Sequence, residues 1–260
     1  MRENTVIAKW KAGEPTFGCW LAIPSSFSAE VMARQGFDYV CIDMQHGIAD
    51  YQVAVTMLQA ISQTDSMPFV RVPWNEPGII GRMLDAGAMG VVIPMVNSVE
   101  EAERAVGACR YAPSGYRSFG PVRAGFYAGA DYFAHANEQV ACIPMIETRQ
   151  AIAGIDDILG VPGIDAVYVG PADLSITLGL RPAMDNEGEF KTALETIVSA
   201  CGRHGVTPGI HASAQLAEKR TDGGFKMITV SSDTGALASG AASDIRLARG
   251  GPGGAQPTYR

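Results

Sequence analysis

The sequence predicts an α/β protein built as a single (β/α)8 TIM barrel, and three observations carry that prediction. Eight short apolar runs recur along the chain. Segments with helical character alternate with them, the order that builds a parallel sheet. The length of 260 residues is the usual size of one such barrel. A doubly wound sheet is the second architecture compatible with this alternation.

The runs read as strands are Gly18–Ile23, Tyr39–Met44, Pro68–Val72, Gly90–Met95, Ala141–Glu147, Ala166–Gly170, Thr207–His211 and Met227–Ser231. Most are continuously apolar, as strands covered on both faces are. Helices are expected over Ser28–Gln35, Tyr51–Gln63, Glu76–Asp85, Val99–Cys109, Thr148–Ile158, Glu187–His204 and Ala212–Thr221. Ser98, with Glu101 three residues on, is a cap signal for the fourth of them. Tyr111–Asn137 is rich in Gly, Arg and aromatic side chains, and a connection this long is either a lid or an interface segment. In an interface, Arg117 and Arg123 could sit near a neighbour's active site. Residues 1–249 are assigned to the barrel. Gly250–Arg260, with four glycines and two prolines, is expected to be a disordered tail.

A hydrophobic fraction of 47% and a charged fraction of 18% describe a globular chain with a large core. A net charge of −7, with only 20 Lys and Arg and no run of them, argues against a nucleic-acid surface. A protein this acidic that binds an anionic metabolite must supply local positive charge, from a metal or from single arginines. The five cysteines (Cys19, Cys41, Cys109, Cys142, Cys201) lack CxxC spacing and read as buried, reduced core thiols. The N-terminal stretch has no apolar signal core, and no apolar run reaches the roughly 20 residues of a membrane span. A cytoplasmic protein is expected.

Two runs end on carboxylates: Ile143–Glu147 (IPMIE) and Val167–Asp173 (VYVGPAD). Acids at the ends of consecutive strands would lie side by side at the barrel mouth, where such folds keep their chemistry. Glu147 and Asp173 are therefore candidate oxygen ligands for Mg²⁺, Mn²⁺ or a similar ion. His46 follows Asp43 by three residues at the end of the second strand. Either the carboxylate holds the imidazole as a general base, or both residues cap the next helix. Arg71, amid apolar strand residues, needs a partner. It either pairs with a structural carboxylate or faces the mouth and binds an anion through its planar fork. None of the lysines (Lys9, Lys11, Lys191, Lys219, Lys226) ends a strand, which disfavours Schiff-base chemistry. No GxSxG, P-loop or GxGxxG signal occurs. Metal-assisted acid–base chemistry remains.

The segments FDYVCIDMQHG (Phe37–Gly47), Val70–Ser98, RYAPSGYRSFG (Arg110–Gly120), IPMIETRQAI (Ile143–Ile152) and GIDAVYVGPADLSITLG (Gly163–Gly179) resemble the HpcH/HpaI aldolase family over roughly residues 5 to 240. These are class II, metal-dependent pyruvate aldolases acting on 4-hydroxy-2-oxo acids such as 4-hydroxy-2-oxoheptane-1,7-dioate or 2-keto-3-deoxyglucarate. The resemblance implies that Glu147 and Asp173 bind a divalent ion (Mg²⁺, with Mn²⁺ or Co²⁺ as alternatives) and that this ion chelates pyruvate. It implies that His46 acts through water as acid–base catalyst, oriented by Asp43. Arg71 would bond the keto or enolate oxygen, and the backbone amides of Ala172 and Asp173 would receive the substrate carboxylate. It further implies a homo-oligomer, a hexamer built as a trimer of dimers, with a 2-oxo acid and an aldehyde as its small-molecule partners.

Three positions depart from the family pattern. Met145 stands where glutamine is usual, Gln45 where glutamate is common, and His211 where an aliphatic residue is frequent. Trp20 and His211 end strands that open to the mouth, so both are expected to border the aldehyde. There the imidazole either donates a hydrogen bond to a hydroxyl or carboxylate of the acceptor, or only bonds a nearby backbone carbonyl. The expected reaction is reversible aldol cleavage to pyruvate and an aldehyde. Oxaloacetate decarboxylation or other pyruvate-enolate chemistry would use the same residues. A non-catalytic metabolite-binding barrel would be expected to lose His46 or a ligand acid, and this chain keeps them.

Overall fold

Every apolar run forms a strand in the computed structural model, which describes residues 1–250. The chain starts with helix α1 (Thr5–Lys11), strand β1 (Thr16–Leu21), α2 (Ser26–Ala33), β2 (Tyr39–Asp43) and α3 (Tyr51–Ile61). There follow β3 (Met67–Arg71), α4 (Pro77–Asp85), β4 (Gly90–Ile93), α5 (Val99–Cys109), α6 (Ala124–Ala128), α7 (Tyr132–Gln139) and β5 (Ala141–Pro144). The second half holds α8 (Arg149–Ala153), α9 (Ile155–Leu159), β6 (Ala166–Val169), α10 (Pro171–Thr177) and α11 (Glu189–His204). It ends with β7 (Thr207–His211), α12 (Ala217–Asp222), β8 (Met227–Ser232) and α13 (Asp233–Ala248). The tail expected over Gly250–Arg260 lies, Gly250 apart, outside the described residues.

The strands are hydrogen-bonded in the order β5-β4-β3-β2-β1-β8-β7-β6, every pair parallel. The ends of that row meet. Met145 bridges Tyr168, Ile146 N–H donates to the Tyr168 carbonyl (2.9 Å), and Asp165 N–H donates to the Cys142 carbonyl (3.1 Å). The sheet is thus a barrel, thinly sewn at the β5–β6 seam, and the doubly wound alternative does not hold. The Asp165 carboxylate reinforces the seam by accepting from the Cys142 N–H (2.8 Å) and from Arg110 (2.6 Å).

Aromatic rings fill the barrel, and each faces a glycine across the strand pair. Gly18 opposes Tyr39, Gly90 opposes Phe69 and Gly209 opposes Tyr168. A Cβ at Gly18 would stand 2.1 Å from the Tyr39 ring, and one at Gly90 2.8 Å from Phe69. Gly18→Ala is therefore expected to destabilise the fold by about 2 kcal/mol or more, at the upper end of overpacking costs. A urea unfolding series measures this.

Helix α1 closes the N-terminal end of the barrel. Its Val6, Ile7 and Trp10 are buried, and Trp10 packs edge-on to Phe69 with ring centroids 6.4 Å apart. The Asn4 carboxamide caps α1 and also donates to the carbonyls of Met89 and Gln139. Around the strands the outer layer packs as expected for α3, α4, α5 and α11. The helix expected over Thr148–Ile158 is instead two short ones, α8 and α9, interrupted at Gly154. The five cysteines are free and buried. Among the described residues no helix is long and apolar enough to cross a membrane.

Tyr111–Asn137 joins the end of α5 to the start of β5, so it lies at the end of the barrel opposite the mouth. That position rules out a lid over the chain's own site. Its arginines are engaged within the chain. Arg117 bonds Asp85 (2.7 Å) and the Tyr132 hydroxyl (2.9 Å); Arg123 bonds the Ala86 carbonyl (2.6 Å) and the Ser62 hydroxyl (2.8 Å).

Candidate active site

At the C-terminal ends of the strands a cavity of about 280 Å³ opens, lined by residues that include Trp20, Asp43, His46, Arg71, Ala172, Asp173 and His211. Asp43 and Arg71 end β2 and β3 and are direct cross-strand partners. Register alone brings them together: Arg71 Nε donates to Asp43 Oδ1 (2.9 Å) and Nη2 to Oδ2 (2.6 Å). Both are buried, so the charges must be paired. Burial pushes the Asp43 carboxyl up, but the hydrogen bonds and charge of Arg71 outweigh it and hold the group below its ordinary value. Arg71 also lies over the Trp20 ring, 4.3 Å from its centroid. Nη1 keeps no hydrogen-bond partner among the described residues.

Asp43 makes no hydrogen bond to the His46 imidazole among the described residues. Its Oδ1 accepts from the backbone N–H groups of Gln45 (3.1 Å) and His46 (3.2 Å), which shapes the turn after β2. Arg71 is thus part of a structural ion pair whose outer nitrogen faces the mouth, while Asp43 caps the turn after β2 and not the next helix, α3, whose N-cap is Asp50. The His46 ring is exposed at the cavity and makes no hydrogen bond among the described residues.

Glu147 lies just past β5 and is 2% exposed. Its Oε1 accepts from the Met95 N–H (3.0 Å), while Oε2 has no partner among the described residues. Met95 holds this position with φ of 56°, the left-handed region that non-glycine residues rarely adopt and that clusters at functional sites. Asn97 secures the bend: its carboxamide donates to the Met95 carbonyl (2.8 Å) and accepts from Thr148, the neighbour of Glu147. Gly170 leaves room for the carboxylate, since a Cβ there would stand 2.3 Å from Oε2. Asp173 does not end a strand as the apolar run suggested; β6 stops at Val169 and Asp173 lies in the first turn of α10, behind the N1 proline Pro171.

Burial, foremost, pushes the Glu147 carboxyl up to about 7; the charge of Asp173 adds to this, against the Met95 N–H and Arg71. A buried carboxyl made costlier to ionise by a second carboxylate nearby, with one oxygen left unpartnered among the described residues, fits a divalent cation. No group of three or more His, Cys, Asp or Glu suited to a metal forms among the described residues, so water and substrate oxygens would complete the shell. The all-oxygen donor set suits a hard ion.

Sequence reasoning missed Tyr168, Met95, Asn97 and Gly170. Only Gly170 left a signal, as the glycine ahead of a proline that ends a strand. Of the departures, Met145 is buried beside Gly170, and the Gln45 side-chain oxygen Oε1 is buried without a partner among the described residues. Trp20 stacks on Tyr168 (5.4 Å, 26°) and meets His211 edge-on (5.2 Å).

A parallel barrel with an arginine, a histidine and two carboxylates at its mouth has the groups for acid–base and enolate chemistry, and comparison with known proteins makes the chain a carbon–carbon lyase. The family model for HpcH/HpaI aldolase/citrate lyase matches residues 16–240, and the chain belongs to that family. It is 40% identical over 248 residues to a hydroxypyruvate/pyruvate aldolase of Rhizorhabdus wittichii, covering 95% of this chain and 99% of that one. It is 39% identical over 243 residues to a 4-hydroxy-2-oxo-heptane-1,7-dioate aldolase of Shigella flexneri, covering 92% of this chain and 91% of that one. An HpcH/HpaI aldolase/citrate lyase family structure from Burkholderia cenocepacia superposes with a TM-score of 0.89 at 33% identity, covering 95% of this chain and 99% of that one.

Proposed function

We propose that the protein reversibly cleaves 4-hydroxy-2-oxo acids to pyruvate, or a pyruvate analogue, and an aldehyde. The observation that carries this reading is the meeting, around one cavity, of a guanidinium with a free nitrogen, an unbonded imidazole and the Asp173 carboxylate, whose charge acts on the buried Glu147 next to it. Arg71, held in place by Asp43, keeps Nη1 for the 2-keto oxygen, where negative charge develops as the carbon–carbon bond breaks. His46 moves the proton of the 4-hydroxyl, directly or through one water. The backbone N–H groups of Ala172 and Asp173, in the first turn of α10, have no intrahelical acceptor and receive the substrate carboxylate. Glu147 and Asp173 hold the divalent ion, Mg²⁺ by preference and Mn²⁺ or Co²⁺ in its place. When bound, such an ion supplies a Lewis acid for the keto oxygen. Exchange of the pyruvate methyl protons in D₂O with added Mg²⁺ or Mn²⁺ tests the reading without an aldehyde. Exchange is expected; its absence with every one of these ions overturns the proposal.

The same reading includes assembly as a homo-oligomer, a hexamer arranged as a trimer of dimers. Two surfaces support it. Helix α13 buries none of its residues except Asp233, leaving Leu237 and Ile245 at 67% and 50% exposure. Phe119, Phe126 and Phe133 stand exposed on the long segment before β5. Light scattering at micromolar concentration is expected to give about six times the chain mass, and a monomer mass overturns the assembly.

A further inference from the structure

His211 ends β7 on the cavity wall, and its ring is tied to the barrel interior. Nδ1 lies 3.2 Å from the Tyr168 hydroxyl. That hydroxyl lies 2.6 Å from Thr229 Oγ1, in a geometry that admits Tyr168 only as the donor, and Thr229 also meets the Tyr39 hydroxyl at 3.0 Å. In place of a backbone carbonyl, one of the two partners open from the sequence, His211 Nδ1 meets a chain of side chains. The single proton of Tyr168 goes to Thr229, so its oxygen is left to accept, and the Nδ1 of His211 must donate.

We infer that His211 presents an unprotonated Nε2 to the cavity and so selects aldehydes that bring a hydroxyl group over aldehydes that bring a carboxylate. A neutral imidazole has one N–H, and with that proton on Nδ1 the other nitrogen is a lone-pair acceptor. The ring stays neutral at working pH: burial, then the nearby Arg71 charge, pushes it down to about 4, against the opposing Asp43. A hydroxyl can donate to Nε2, whereas a carboxylate meets lone pair against lone pair. The polarity is the reverse of the donor role that the sequence alone suggested. The one positive side chain among those named here, Arg71, is already paired with Asp43.

The inference rests on the aldolase reading, and two measurements separate their failures. The first uses wild-type protein alone: nitrogen-15 spectra of the histidine rings at neutral pH, with the His211 signals identified by their loss in His211→Gln. A protonated Nδ1 with an unprotonated Nε2 is expected; the opposite tautomer, or an imidazolium, overturns the inference. The second compares kcat/KM for condensation of pyruvate with glycolaldehyde, acetaldehyde and succinic semialdehyde. His211→Leu should lower the glycolaldehyde-to-acetaldehyde ratio about tenfold, the scale of one hydrogen bond to a neutral acceptor. Tyr168→Phe, which removes the partner of Nδ1, should move the same ratio in the same direction. An unmoved ratio, or a wild-type preference for succinic semialdehyde over glycolaldehyde, overturns the inference while pyruvate proton exchange still upholds the aldolase reading. Wild-type protein that fails to exchange pyruvate protons overturns both.

Discussion

Arg71→Ala is expected to lower turnover by at least about a hundredfold, the scale seen when one donor to a developing oxyanion is removed. The variant also strips Asp43 of its partner while the carboxylate stays buried, which costs about 3–5 kcal/mol of stability. Two effects would then be mixed in one assay, and a double substitution separates them. Adding Asp43→Asn removes the unpaired charge, so the midpoint of unfolding should recover much of the loss while kcat does not. Arg71→Lys should not rescue turnover fully, because an ammonium cannot hold both Asp43 oxygens through a planar fork and still offer a third nitrogen. His46→Ala should also cost about a hundredfold in turnover, but with little change in stability, since its ring is exposed and unbonded among the described residues. Near-normal turnover in either alanine variant would show that the assignment is wrong.

Chelation is the second large effect. EDTA-treated protein should lose activity and regain it with Mg²⁺ or Mn²⁺, and Glu147→Gln should lose both activity and metal affinity as read by calorimetry. Gly170→Ala should weaken the same binding, because a methyl group there crowds Oε2. The raised Glu147 group sets the pH dependence. Its stabilising contribution in metal-free protein is fully present below the unfolded value near 4.5 and is lost as the pH rises through about 7. In that window the folded chain keeps a proton that the unfolded chain has released, so stability falls with rising pH. Cation binding requires the ionised carboxylate, so added Mg²⁺ should raise the unfolding temperature more at pH 8 than at pH 5.5. Equal shifts at both pH values would separate Glu147 from the ion.

The strands were legible because each is a continuous apolar run, and the site positions because polar residues break those runs at their ends. Local sequence could say that Arg71 needs a partner but not that Asp43 is the partner, because the pair exists only through the register of β2 against β3. Neither open reading of Asp43 foresaw the turn it makes with Gln45 and His46, which only the backbone decides. Asp173 looked like a strand end because the run from Val167 is apolar up to it; Pro171 was the overlooked helix start. Helix α13 was illegible for another reason. Its alanines, glycines and serines carry no apolar stripe, in keeping with a helix that buries only Asp233. The Met95 bend and the Tyr168–His211 link have no sequence signal, since both arise from contacts across neighbouring strands between residues 52 and 43 positions apart in the chain.

The seam between β5 and β6 gives the site two mechanical halves. Arg71 and Asp43 stand at the end of a ladder with five registered pairs, which would hold stiff the place where the proposed reaction receives oxyanion charge. Glu147 and Asp173 follow the two strands joined by a single bridge, so the gap between these carboxylates would be the more compliant dimension of the mouth. An acid pair able to tighten or relax around cations of unlike radius without shifting the guanidinium would combine tolerance toward the ion with fixed geometry toward the substrate.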